Sequence, residues 1–303
     1  MALGTDHVTI TSAATFIPEI WSDEIVAAYK KNLVAANLFK KMSFAGKKGD
    51  TVHIPSPTRG TAAIKAANSQ VTLQAAVEGD IAVSIDKHYE YSRLIEDIVE
   101  AQALSSLRRF YTDDAGYALA KQVDTSLIQL GRTFNGGSGV TYGGAYIGGD
   151  GTTAYNSGTP NASALTSAGI RRTVQRLDDA DVPMEGRFFL IPPSARNTLM
   201  GINEYTAQSF VGEVGGGNTI RNGEIGSLYG IPVFVSSNAD TATGAARIAL
   251  MGHKDAAVLV EQVGVRSQTQ YKQEYLGTLY TADTLYGVKE LRDNACFALA
   301  VPA

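Results

Sequence analysis

Residues 46–60 read GKKGDTVHIPSPTRG, residues 71–95 read VTLQAAVEGDIAVSIDKHYEYSRLI, and residues 96–130 read EDIVEAQALSSLRRFYTDDAGYALAKQVDTSLIQL. Together they spell a long hairpin that runs at once into a long amphipathic helix. Val52 and Ile54 alternate with polar neighbours, and Pro55 and Pro57 end that strand or mark it as an edge, because proline cannot donate to a ladder. On the return, Ile81, Val83, Ile85, Tyr89 and Tyr91 share one parity, broken only by Lys87. Residues 58–76 between them are rich in Ala, Gln, Asn and Thr and bury little apolar surface by themselves. In the helix, Leu104, Leu107, Tyr111, Ala115, Leu119, Val123, Leu127 and Leu130 form one stripe. Glu96, Asp97 and Glu100 crowd its start, where the helix dipole favours anions, and Gly131 is the expected C-terminal cap. Gly116 costs about 1 kcal/mol against Ala inside a helix, so it reads as a close crossing or a bend. A hairpin that long with so little core needs another molecule to lie on. That points to a protein that builds something.

Upstream, the first fifteen or so residues are small, polar and aperiodic, and read as an arm. Pro18 suits a first helical turn. From there Trp21, Ile25, Tyr29, Leu33, Ala36 and Phe39 or Lys40 recur at helical steps, predicting a helix to about Lys41 with Lys30, Lys31, Lys40 and Lys41 largely off the stripe. Downstream, residues 134–161 are dense in Gly, Thr, Ser and Tyr and read as a surface loop. A helix is expected over about 163–181, with Ile170, Val174 and Leu177 inward, Arg172, Arg176 and Asp179 able to pair outward, and Pro183 as its stop. RFFLI at 187–191 has the unbroken apolarity of a strand covered on both faces, and Pro192, Pro193 and Ser194 turn into a short helix. Further strands are expected at 231–235, 247–251, 256–261 and about 295–301, with 265–281 as one long extended segment. The class is α+β.

The chain has 303 residues and a net charge of −4, so nothing in its overall charge marks nucleic-acid or membrane-surface binding. Cys296 is the single cysteine and excludes an internal disulfide. The N-terminus lacks the pattern of a secretory signal, and no apolar run approaches the ~18 residues of a membrane span.

A search for chemistry finds little. His7, His53, His88 and His253 have no metal-ligand spacing. Cys296 sits in apolar CFALAV without a base and reads as a small core residue. Gly137, Ser138 and Gly139 lack the frame of a nucleophile elbow. Gly149, Gly151 and Ala154 match a dinucleotide pattern, but no good strand precedes them and no helix can follow. Gly46 and Lys47 lack the rest of a phosphate loop. Asp178, Asp179 and Asp181 cluster at a helix end, where solvent exposure explains them without a cation. Asp113 and Asp114 lie mid-helix, and Asp114 calls for a partner on another element. The lysines at 30–31, 40–41 and 47–48 read either as a solvated face or as a contact with acidic groups of a neighbour or with nucleic acid. The sequence therefore predicts no catalytic residue, no metal and no cofactor.

Residues 16–60, 88–128 (HYEYSRLIEDIVEAQALSSLRRFYTDDAGYALAKQVDTSLI), 228–238 (LYGIPVFVSSN), 249–262 (ALMGHKDAAVLVEQ) and 275–295 (YLGTLYTADTLYGVKELRDNA) resemble, in order, the major capsid proteins of tailed bacteriophages. The resemblance implies the Hong Kong phage-type capsid fold: an N-terminal arm and helix (1–45), an extended β-hairpin loop (46–94), a peripheral domain with a spine helix (95–135), an axial domain (136–262), a long peripheral-domain strand (263–284) and a final axial strand (285–303). It implies a structural coat protein that self-assembles into pentamers and hexamers, forming an icosahedral shell around double-stranded DNA. An encapsulin-like cargo shell shares the fold, and an enzyme with an unrecognised site is the remaining alternative. Val52, Ile54, Lys65, Val71, Leu73, Ile81, Val83 and Ile85 are the expected inter-subunit contacts of the extended loop. Lys30, Lys31, Lys40 and Lys41 are the expected contacts to nucleic acid or an acidic partner. Some relatives join subunits through a Lys–Asn bond; Lys65 is a possible donor here, but no acceptor motif is present, and no cross-link is expected. The short segment before the first helix implies a separate or dispensable scaffolding protein. The other implied partners are a portal, decoration proteins and packaged DNA bound nonspecifically, with no membrane. The implied site of action is the virion capsid, with assembly in the host cytoplasm.

Overall fold

In the computed structural model, the described residues are 34–57, 60–71, 73, 78–98, 107–137, 147–155, 162–202, 226–242 and 246–303. They form three sheets. The first half contributes α1 (Ala35–Leu38), β1 (Lys40–Ser43), β2 (Thr51–Pro57), β3 (Glu78–Ser84), β4 (Lys87–Glu96) and the long α2 (Leu107–Gln129). The middle contributes β5 (Ile147–Gly148), α3 (Ser167–Asp179), β6 (Arg187–Ile191), α4 (Pro193–Met200), β7 (Ser227–Leu228) and β8 (Ile231–Val235). The last part is β9 (Arg247–His253), β10 (Ala257–Lys272), β11 (Gly277–Glu290) and β12 (Cys296–Val301).

The six-stranded sheet has the order β5-β12-β9-β6-β8-β7. Every residue of β6 is buried, as its unbroken apolar run requires. Ile170 and Leu177 of α3, Ala195 and Leu199 of α4, and Leu127 and Ile128 of α2 join the same core. Thr166 caps α3 by accepting a hydrogen bond from the Gly169 N–H, satisfying one of the donors a helix start leaves free. At Gly169 an added Cβ would stand 2.1 Å from the Gly149 carbonyl oxygen, so only glycine lets this turn approach the helix.

The four-stranded sheet has the order β1-β10-β11-β4. α2 packs on it through Ala115 and Leu119 against Tyr280 and Ala282. The two sheets share one core, because Ala257, Leu259 and Tyr286 belong to the same cluster as β6 and β9. The third sheet is the pair β2–β3 alone.

Several expectations change. The helical periodicity ends at Phe39, and Lys40 and Lys41 lie on β1, paired in parallel with Val258 and Leu259. Met42 and Phe44 alternate there at the strand period and pack on the hairpin's base. The return strand divides at Ile85 and Asp86: β3 pairs with β2, whereas β4 pairs with β11 over Lys87↔Tyr286 to Glu96↔Gly277. The two-stranded ladder therefore stops at residue 84, and Glu96 ends β4, with helical residues following at once at Asp97 and Ile98. Gly131 is not a left-handed cap; it continues in a 3-10 turn over Leu130–Arg132, and the chain reverses at Asn135 (φ 57) and Gly136 (φ 74). A Cβ at Gly116 would meet nothing within 4 Å outside its own helix, so no close crossing explains it. The single long segment expected over 263–284 is two antiparallel strands, β10 and β11, joined by a 3-10 turn over Gln273–Tyr275.

Candidate assembly surfaces

The hairpin's base is held by its own chain. β2 and β3 pair from Thr51↔Ser84 to Pro57↔Glu78, placing Val52 opposite Val83 and Ile54 opposite Ile81. Val83 is fully buried and Ile85 nearly so, against Val258 and Val260 of β10. The Ile85 N–H donates to the Asp50 carbonyl, and the Gln262 side-chain amide donates to the Lys47 and Gly49 carbonyls. Val83 and Ile85, expected as contacts to a neighbour, are therefore already used inside the subunit, because β10 offers them an apolar seat. Val52, Ile54 and Ile81 are half-buried. Farther out the expectation meets a different surface: Ile64 is 102%, Leu73 91% and Val71 64% exposed, and Lys65 is exposed beside them.

Of the four lysines expected to meet nucleic acid or an acidic partner, Lys40 and Lys41 are exposed on β1, with the Lys41 Nζ donating to Asn37 Oδ1 at 3.3 Å. Lys30 and Lys31 lie outside the described residues. Lys47 stands 5.2 Å from the Phe44 ring centre, a cation–π contact at the foot of the hairpin.

Polar side chains lock the frame. Asp124 of α2 is fully buried; Oδ1 accepts from the Ala35 N–H (2.7 Å) and Oδ2 from the Asn238 amide (3.0 Å), tying the start of α1 and the segment after β8 to one helix. Arg132 makes a bidentate pair with Asp240 at 2.7 and 2.8 Å. Asp114 finds the partner its mid-helix position demanded, accepting from the Tyr91 hydroxyl at 3.0 Å. Asp178 pairs with the buried guanidinium of Arg187 at 2.7 Å, which accounts for one carboxylate of the acidic cluster without a metal. On α3, Arg172 and Arg176 donate to the Asp150 and Gly151 carbonyls in place of the expected outward carboxylate pairs.

Asp283 sits between two basic side chains from neighbouring strands. Arg266 of β10 donates to both of its oxygens, and His88 of β4 lies 3.1 Å from Oδ2. The Arg266 hydrogen bonds hold its carboxyl at about 2, against the desolvation that would raise it. Asp150 likewise lies below the usual range: burial opposes ionisation, but Thr153 and Thr152 donate to it. Burial pushes the Tyr286 phenol up to about 12, and its hydroxyl meets Ser126 at 2.9 Å.

Cys296, His53 and His253 are each held in local packing or hydrogen-bond contacts. Burial pushes the Cys296 thiol far up, and the residue packs against Gly252, where an added Cβ would stand 2.7 Å from Sγ. His53 pairs with Asp80 across the hairpin, and His253 Nε2 lies 2.7 Å from the Glu185 carbonyl. Among the described residues no group of three His, Cys, Asp or Glu side chains is arranged to hold a metal. No described helix is long and apolar enough to cross a membrane.

Sequence reasoning missed Ile64, Ile98, Leu276, Arg266 and the Asp124 hub. Tyr271 (49%), Tyr275 (62%) and Leu276 (67%) form an exposed end to the β10–β11 ribbon, beside Leu94 (40%) and Ile98 (61%). Charge pairing across strands needs a register, and the period of the side chains does not supply one.

The family described as phage capsid protein matches residues 93–292. No curated protein matches the chain. Among solved structures, the chain is similar to one titled Mycobacterium phage Che8, at 24% identity and a TM-score of 0.76, covering 94% of this chain and 97% of that one. It is similar to the capsid of cyanophage P-SCSP1u at 19% identity and a TM-score of 0.75, covering 99% and 96%. It is also similar to the mature capsid of bacteriophage PhiM1 at 14% identity and a TM-score of 0.70, covering 94% and 92%. The α+β capsid fold of the Hong Kong phage type is thus the architecture observed. The chain is a structural protein of the virion shell, and it belongs to the phage capsid protein family.

Proposed function

We propose that this major capsid protein closes into pentamers and hexamers that tile an icosahedral shell around packaged double-stranded DNA. The observation that carries this reading is the hairpin beyond β2 and β3. It leaves Ile64, Val71 and Leu73 in solvent, on a subunit of a family that builds shells. Ring closure needs a heterologous contact, one surface meeting a different surface on the next copy. The hairpin supplies the projecting half, and each subunit's modest contacts accumulate around the ring. In this reading residues 1–45 are the arm, 46–84 the extended loop, β4 with the four-stranded sheet and the spine helix to residue 135 the peripheral region, and the six-stranded sheet the axial domain. Lys65, Val71 and Leu73 face the neighbour, while Val52 and Ile54 pack with Val83 and Ile85 inside the subunit and Ile81, opposite Ile54, stands at the boundary. Lys30, Lys31, Lys40 and Lys41 meet DNA phosphates or an acidic surface. A portal, a separate scaffolding protein and decoration proteins complete the particle, and assembly takes place in the host cytoplasm.

Deleting residues 58–76 tests the reading. The variant should fold, shown by an unchanged cooperative unfolding transition, yet fail to form shells in the electron microscope. Normal shells from the deleted chain would remove the hairpin from the mechanism.

A further inference from the structure

Beyond the end of α2 the chain reverses at Asn135 and Gly136, both in the left-handed region, which glycine adopts freely and asparagine tolerates. Phe134 just before the reversal is fully buried in the main core, and Ala295 and Cys296 are buried in the same core. The reversal is tied to the short turn that precedes β12. The Asn135 N–H donates to the Asp293 carbonyl at 3.4 Å. The Asn135 side-chain amide donates to the Cys296 carbonyl at 2.9 Å, and the Gly136 N–H donates to Asp293 Oδ1 at 3.0 Å. These bonds join the end of the long helix to the start of the last strand.

The same two residues carry a reaction of their own. In an Asn–Gly pair no side chain on the second residue keeps its nitrogen from the asparagine side chain. Gly136 is exposed, so water and hydroxide reach it. Its nitrogen gives its proton to hydroxide and attacks Asn135 Cγ. A new C–N bond closes a succinimide ring, the Cγ–Nδ2 bond breaks, and ammonia leaves after taking a proton from water. Water then opens the ring at either carbonyl, leaving aspartate or isoaspartate.

The folded joint holds both reacting groups elsewhere, and such a step needs them in contact. Deprotonating the Gly136 nitrogen would set a second negative charge 3.0 Å from Asp293 Oδ1. The Asn135 amide must give up the Cys296 carbonyl before it can react. After conversion an ionised carboxylate can only accept, so it faces the Cys296 carbonyl oxygen with no proton between them. Isoaspartate also adds an atom to the backbone of a tight reversal.

We propose that Asn135–Gly136 is a self-modification site, closed while the joint to residues 293–296 is formed and open whenever it is not. Conversion is one-way and leaves a joint that closes less well. Chains that linger unfolded are thereby marked, and they refold less stably than fresh ones. The site acts on single subunits and does not depend on the assembly reading.

The test follows conversion at Asn135 by mass spectrometry of peptides from the full chain kept in mildly alkaline buffer, native or in urea. Asn222–Gly223, the other Asn–Gly pair of the sequence, is the internal reference, and in urea the two should react alike. In the native subunit Asn135 should react at least about tenfold more slowly than in urea, the worth of one hydrogen bond that must first break. Asp293→Ala frees the attacking nitrogen and should speed the native reaction about tenfold, with urea unfolding run alongside to show that the gain exceeds any rise in the unfolded fraction. Should Asp293→Ala not fold, Asp293→Asn keeps an acceptor without the charge, and its native rate should still exceed the parent's. A native rate equal to the rate in urea overturns the proposal. So does an unchanged or slower reaction in the Asp293 variant that folds, since the carboxylate would then be idle or a base. Asn135→Asp makes the product directly and should shift the unfolding equilibrium about tenfold toward the unfolded chain. If it unfolds like the parent, conversion does not disable the joint and the proposal falls.

Discussion

Val83 and Ile64 lie on the same hairpin and should respond to truncation in opposite ways. Val83 is fully buried against β10, whereas Ile64 is 102% exposed. Val83→Ala removes two carbons from a packed site, about 1.6 kcal/mol of transfer energy at ~0.8 per methyl. The space left beside Val258 and Val260 adds a cavity term, for a total of about 2–3 kcal/mol. Ile64→Ala removes nothing the subunit buries, so its unfolding free energy should change by less than about 0.5 kcal/mol. At a contact that covers it, the same change costs up to about 2 kcal/mol, or about 30-fold in the association constant of that contact. Urea unfolding of subunits held below the assembling concentration reads the first quantity, and sedimentation across a concentration series reads the second. If Ile64→Ala destabilised the single subunit as much as Val83→Ala, the outer hairpin would be packed on its own chain. The division into an internal base and an external tip would then be wrong.

Acid should loosen the four-stranded sheet near Asp283. Its folded pKa is depressed to about 2, so it stabilises the fold above the unfolded value and the contribution is lost as pH falls from about 4 to about 2. Because Arg266 and His88 are more than half exposed, solvent screening reduces the effect to about 1 kcal/mol, and Asp283→Asn should flatten the unfolding curve across that window. Asp124→Ala leaves the Ala35 N–H buried without its acceptor and the Asn238 amide with Thr125 Oγ1 alone, and should cost about 2–3 kcal/mol in chemical unfolding. Gly169→Ala drives a methyl into the Gly149 carbonyl and should lower stability by about 1–3 kcal/mol or more, with the loss seen in the melting temperature.

Where one residue's neighbours along the chain decide its environment, the sequence was readable. RFFLI at 187–191 announced a buried strand, Pro193 announced the start of α4, and the stripe through Ala115, Leu119 and Leu127 announced the long helix. Register and partner choice were not readable. Nothing local distinguishes β3 from β4, because the same alternation continues through Ile85 while the chain changes sheets. The turn between β10 and β11 lacked a glycine signal at its left-handed residue, since Leu276 occupies that conformation at φ 44. The exposed apolar end beside it was legible only once both strands were placed. From sequence alone Val83 and Ile85 read as outward contacts, because their seat, Val258 and Val260, lies far along the chain.

A cryo-electron reconstruction of particles assembled from the purified chain shows on which subunit the outer hairpin lies. Closed shells are expected in which the outer hairpin, Ile64 to Leu73, lies on a neighbouring copy, with Val83 and Ile85 seated on their own β10. Discrete monomers at high concentration, or shells in which residues 60–73 pack on their own subunit, would contradict that expectation.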